Sequence, residues 1–146
     1  MLETKDIEIG DMKFQLNPLK GFKAVKLDKK VISLCLPALK GVKDMDEQSI
    51  DIGMIISGIT DALDGMTEGD FEKFVLDLLS TTILQITGKP PMVIDSNTID
   101  SEFQGESITL YKLLFEVMKY NKFTPFVLAS GGGSGTLKTL TSSLMP

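Results

Sequence analysis

Residues Glu106–Leu128, ESITLYKLLFEVMKYNKFTPFVL, decide how the rest of the chain is read. Ile108, Tyr111, Phe115 and Met118 recur at helical spacing, and so do Leu110, Leu114 and Val117. Together they make an apolar face wider than one stripe, which predicts a helix buried in a core with Phe115 as an anchor. Gly105 breaks the preceding chain and Ser107 is the predicted N-cap. Asn121 suits the C-terminal turn, and Pro125 forbids continuation of the helix. The aromatic segment Phe123-Thr124-Pro125-Phe126 is expected to fold back on it.

Working outward from this helix, Asp6–Leu16 reads as a β-hairpin. Ile7 and Ile9 alternate with polar residues, Gly10-Asp11 marks the turn, and Met12, Phe14 and Leu16 alternate again. The turn order usually favoured is the reverse, Asp-Gly. Asn17-Pro18 opens a new element, and Pro18–Leu39 predicts one or two short helices stopped near Pro37. Ser49–Leu63 is a second helical stretch, with Ile52, Ile55, Ile56, Ile59 and Leu63 on one face, ended by Asp64-Gly65. Thr67–Ile86 is a third, with Thr67 as N-cap, Asp70 three residues on, and a stop at Gly88-Lys89-Pro90-Pro91. Residues 91–105 read as a polar connection containing a strand candidate, Met92–Ile94. From Ser130 the chain turns Gly- and Ser-rich, which predicts a flexible tail. The expected fold class is mainly α with a short N-terminal β-hairpin (α+β). One helical domain is predicted over residues 1–129, with a tail over 130–146.

Composition excludes more chemistry than it suggests. The 146 residues are 42% hydrophobic, enough to bury a sizeable core. His and Trp are absent, and all fifteen basic residues are lysine. Without His there is no Ser–His or Cys–His activation and no His-ligated metal. Without Arg there is no bidentate clamp for phosphate or carboxylate. The single Cys35 stands in an apolar run and has no neighbour to lower its pKa, so it reads as a buried structural thiol. One thiol forms no internal disulfide, which fits a reducing cytoplasm. No stretch has the length and purity of a membrane span. A net charge of -5 argues against binding nucleic acid through the whole surface.

Two motif-like stretches fail on spacing. Phe126–Thr139, FVLASGGGSGTLKT, resembles a phosphate-binding loop, but Leu137 stands where Gly must directly precede Lys138-Thr139. Asp61–Glu72 has the composition of a calcium loop, yet Leu63, Gly65 and Met66 stand where acid, acid and Gly are needed. The sequence therefore predicts no catalytic residues, no cofactor and no metal.

Charge is segregated along the chain. Nine lysines precede Asp44, whereas Asp44–Asp77 holds ten acids and only Lys73. Lys20, Lys23, Lys26 and Lys29/Lys30 recur at helical spacing with apolar residues between them. One reading is a solvated helix face. The other is a docking face for an acidic partner or for the acidic middle of another copy. On the second reading Lys20, Phe22, Lys23, Lys26 and Lys30 are the candidate partner-binding residues.

Two stretches resemble tail assembly chaperones of long-tailed bacteriophages and prophages. One is Lys13–Leu27, KFQLNPLKGFKAVKL, an extended segment running through Asn-Pro-Leu into a Lys-rich helix. The other is Leu110–Phe126, where a helix ends in VMKYN and Phe123 and Phe126 follow. The resemblance covers the ends better than the middle. It implies a mostly helical, non-enzymatic protein of the infected bacterium's cytoplasm that binds the tape measure protein and recruits tail tube subunits. It also implies a longer form made by ribosomal frameshifting, and the Gly-rich tail lies where such a slip is expected. Self-association is a further expectation from the charge segregation; membrane and nucleic acid are not expected partners. The methionines Met45, Met54, Met66 and Met118 would serve an adaptable binding surface or ordinary core filling. The competing reading is a permanent tail or baseplate component that keeps the segregated charges as a subunit interface.

Overall fold

The computed structural model describes residues 2–40 and 51–129. The charged linker expected at Gly41–Gln48 and the tail expected from Ser130 lie outside them. Among the described residues the fold is mainly α with a small antiparallel sheet at its N-terminal end. The described residues fall into two compact units, one within Met1–Leu27 and Thr67–Asn121, the other within Asp28–Met66 and Lys122–Pro146.

The first unit begins with the predicted hairpin, β1 (Lys5–Ile9) and β2 (Met12–Leu16), paired from Lys5↔Leu16 to Ile9↔Met12. Gly10 has φ 59° and Asp11 is not in the left-handed region. A positive φ at the first central position alone is what a type II′ turn requires, so the Gly-Asp order is the fitting one. β2 alternates, burying Phe14 and Leu16 while Lys13 faces water.

The hairpin is not isolated. β3 (Ile83–Gln85) joins β2, and β4 (Met92–Val93) joins β3, giving the order β1-β2-β3-β4 with every pair antiparallel. This corrects the long third helix. That helix, α3, spans only Glu68–Leu78, with Thr67 as N-cap accepting from the Asp70 N–H at 3.2 Å, as the sequence indicated. The segment after it is β-branched (Thr81, Thr82, Ile83, Ile86, Thr87), which favours a pleated strand once β2 supplies the ladder. Gly88, at φ 83°, belongs to the β3–β4 connection rather than to a helix stop. Asn17 ties the β2 and β3 ends together: its amide donates to the Thr81 carbonyl at 2.9 Å, and the Thr81 hydroxyl donates to the Asn17 carbonyl at 2.8 Å.

α4 (Ser96–Glu102) stands where the sequence predicted only a connection. Asp95 caps it, accepting from the Thr98 N–H at 2.9 Å. The Thr98 backbone and hydroxyl bonds hold the Asp95 carboxyl below its usual range. α5 (Ser107–Tyr120) is the predicted core helix with two corrections. Its N-cap position is Glu106, and Ser107 is already helical. Its buried residues are Thr109, Leu113, Leu114, Val117 and Met118, whereas Ile108 and Tyr111 are exposed and Phe115 is half-buried. The apolar face was wide enough to admit several phases, and α3 and β1, which α5 packs against, select the one led by Leu113 and Leu114. The core of the unit closes with Phe14 stacked on Phe103, ring centroids 6.1 Å apart.

Helix α1 (Gly21–Lys40) is one continuous helix. It runs through Pro37 instead of stopping there. Pro37 and Ser33 are both exposed, so water can satisfy the Ser33 carbonyl that loses its intrahelical donor. In the second unit α1 buries Val31 and Cys35. Burial, and then the nearby Asp28 carboxylate, push the Cys35 thiol up to about 12, as suits a structural cysteine. α2 (Ile52–Asp64) buries Ile55, Ile59 and Leu63 at successive turns and is capped by Asp51, which accepts from the Met54 N–H at 2.9 Å.

The aromatic segment after Asn121, expected to fold back on α5, leads into a short helix, α6 (Thr124–Ala129), which packs against α2. Pro125 lies in its first turn, where a missing N–H costs nothing. The cap comes from α1: Asp28 accepts from the Thr124 N–H at 2.9 Å and from the Thr124 hydroxyl at 2.8 Å. Asp28→Ala should therefore cost about 0.5–2 kcal/mol, the range for losing a cap. Asp28→Asn should recover part of it, since its amide oxygen still accepts from Thr124. Urea denaturation followed by circular dichroism would measure both, and an Ala variant as stable as the wild type would remove this role.

Candidate partner-binding face

The start of α1 is held within the first unit at three points. Leu27 is buried. The Leu19 N–H donates to Asn121 Oδ1 at 3.1 Å, while the Asn121 amide donates to the Val117 carbonyl at 2.9 Å, so the end of α5 positions the approach to α1. Lys23 Nζ lies 3.9 Å from Asp77 on α3.

The five candidate residues divide on this frame. Lys20 is exposed and precedes the helix, its carbonyl accepting from the Ala24 N–H at 2.7 Å. Phe22, Lys26 and Lys30, four residues apart in turn, share one face of α1, and all three are exposed. Lys23 is about 100° round the helix from Phe22, half-buried and turned to Asp77.

Val25 and Lys29 complete the outward face, both exposed at i+3 and i+7 from Phe22. The sequence reading had not singled out Val25. The signal was its spacing from Phe22, which sets it opposite Leu27, Val31 and Cys35. Phe22 is 86% exposed and Val25 65%, so two large apolar side chains stand in water beside lysines. No ion pair joins Lys26, Lys29 or Lys30 to a described carboxylate.

The charges at the start of α1 do not serve the helix. Its first turn contains no acid, while Lys20 and Lys23 stand at the positive end of the macrodipole. Such placement costs a few tenths to about 1 kcal/mol per charge. α3 follows the favourable rule, with Glu68 and Asp70 in its first turn. A local rule broken on a solvent-facing helix marks a candidate functional surface.

The chain carries a second exposed apolar pair, Ile108 and Tyr111 on α5, which the sequence reading had placed in the core. Met118 is buried and Met54 and Met66 are half-buried, so core filling accounts for the first; Met45 lies outside the described residues. No group of acidic or Cys side chains suited to a metal occurs among the described residues. No helix among them is long and apolar enough to cross a membrane.

A helical protein with an exposed basic and apolar helix face suits binding to other proteins. A protein-family model described as phage tail assembly chaperone protein, TAC, matches residues 10–133. The chain belongs to this family. The match takes in the acidic middle as well as the two ends on which the sequence resemblance rested. No curated protein and no solved structure matches the chain. The chaperone thus acts in phage tail assembly, and its family is not one of enzymes.

Proposed function

We propose that this chaperone binds the tape measure protein of its phage and recruits tail tube subunits to it in the cytoplasm of the host bacterium. It leaves before the particle matures and has no hydrolytic or nucleotide-binding activity. A longer form made by frameshifting near the 3′ end of the gene would carry the second contact. The observation that carries the reading is the outward face of α1, because Phe22 and Val25 give apolar contact while the lysines bring an acidic partner into register.

Co-expression and pull-down with the tape measure protein is the direct test. The wild type should form a complex. Lys26→Glu/Lys30→Glu should bind more slowly and with altered salt dependence while remaining folded, since both side chains are exposed. No wild-type complex, in the short or the extended form, would remove the reading. A complex indifferent to the charge reversal would keep the function and move the site elsewhere. Purified virions should lack the protein; its presence there would favour a permanent tail component.

A further inference from the structure

The outward face of α1 has a composition that specifies what can cover it. Phe22, Val25, Lys26, Lys29 and Lys30 fall at i, i+3, i+4, i+7 and i+8, so helical spacing alone sets them in one strip. The strip is about 12 Å long at 1.5 Å per residue. Its N-terminal end is apolar and its continuation is cationic. Lys23 borders the strip, seven residues before Lys30, but is excluded because it is half-buried and turned to Asp77.

We propose that this strip docks an acidic amphipathic helix of a partner protein, not a second copy of this chain. The proposal rests on the chaperone reading and names the chemistry of the partner segment. That segment needs an apolar pair one turn apart to cover Phe22 and Val25, and carboxylates over the next two turns to meet Lys26, Lys29 and Lys30. Apolar contact would hold the complex, while opposite charge sets its direction along the helix.

The chain's own described surface lacks that combination. Its exposed acids Asp61, Asp64, Glu68, Asp70 and Glu72 cluster on α2 and α3. Among the described residues, the one exposed large apolar side chain on those two helices is Ile52, alone at the start of α2, with Ile55 buried and Ile56 half-buried one turn on. The other exposed apolar pair, Ile108 and Tyr111, is followed by the exposed Lys112, which would meet the strip with like charge. A second copy therefore offers either acids with a single exposed apolar residue in place of a pair, or an apolar pair with the wrong charge.

The test uses the full-length protein and two synthetic helical peptides of about 20 residues, roughly 30 Å at helical rise. Both carry leucine along one face; one is flanked by glutamate and its twin by lysine. Fluorescence anisotropy should show the glutamate peptide binding, more weakly at high salt, and the lysine twin not binding. Phe22→Ser/Val25→Ser and Lys26→Glu/Lys29→Glu should each weaken the glutamate peptide about tenfold or more, with unchanged circular dichroism, while Lys23→Gln binds like the wild type. No binding of the glutamate peptide, equal binding of the twin, or indifference to both double substitutions overturns the proposal. Sedimentation that shows a wild-type oligomer made monomeric by Phe22→Ser/Val25→Ser would also overturn it, because the occupant would then be a copy. Peptide binding as expected, with no capture of the tape measure protein, would remove the tape-measure reading and leave the strip. Capture without peptide binding would remove the strip and leave that reading.

Discussion

Phe14→Ala should cost about 3–5 kcal/mol, the range for emptying a buried aromatic site. Phe14 sits on β2, the strand that pairs with both β1 and β3, and is fully buried. It lies opposite Ile7 on one side and Leu84 on the other, and stacks on Phe103. Its removal leaves a hole beside Ile7, Leu84 and Phe103, on a strand held by ladders on both sides, so the site relaxes only in part. A loss of this size is a large share of a typical domain's 5–15 kcal/mol. Urea denaturation measures it. Phe115→Ala provides the contrast: Phe115 is only half-buried, so the same change should cost less than at Phe14. A Phe115 variant that is the less stable of the two would restore Phe115 as the anchor that the spacing suggested.

Phe123→Ala should be nearly as damaging, about 3–5 kcal/mol, for a different structural reason. Phe123 is 1% exposed and lies just before α6 in the second unit, following Lys122 at φ 55°. A lysine in the left-handed region costs roughly 1–3 kcal/mol, and burying Phe123 offsets it. Losing the ring leaves the strain uncompensated. We propose that residues 1–129 unfold as one cooperative domain. Phe14→Ala and Phe123→Ala would then lower the midpoint of the same thermal transition. Two transitions, each moved by only one of the substitutions, would divide the chain into two independently folding domains.

How far the sequence could be read is visible in α1 and α3. α3 begins where expected and α1 three residues after the expected Pro18, because start signals are local: Thr67 with Asp70, and Pro18 ahead of Gly21. Their ends are not. α1 passes Pro37 and α3 stops at Leu78, since each end depends on what else can satisfy the backbone. Ser33 is exposed, so its carbonyl can turn to water, and strand β2 serves Ile83–Gln85. The short helices α4 and α6 escaped notice for a related reason. α4 is too short to show a period, and the cap of α6 is Asp28, distant in sequence.

The candidate site divides in the same way. The lysine row and Phe22 were legible, because solvated charge and helical spacing are properties of the chain itself. That Lys23 turns to Asp77, that Val25 replaces it on the outward face, and that Ile108 and Tyr111 stand in water were not. Composition, periodicity and the family resemblance by themselves determined a mainly helical protein with an N-terminal hairpin, built for binding other proteins. Tertiary structure decided which face of each helix is buried and where each strand finds its partner. The physical reason is that a wide apolar face permits several helix phases of similar local energy. Only the neighbouring elements, α3 and β1 against α5 and β2 against β3, break that degeneracy.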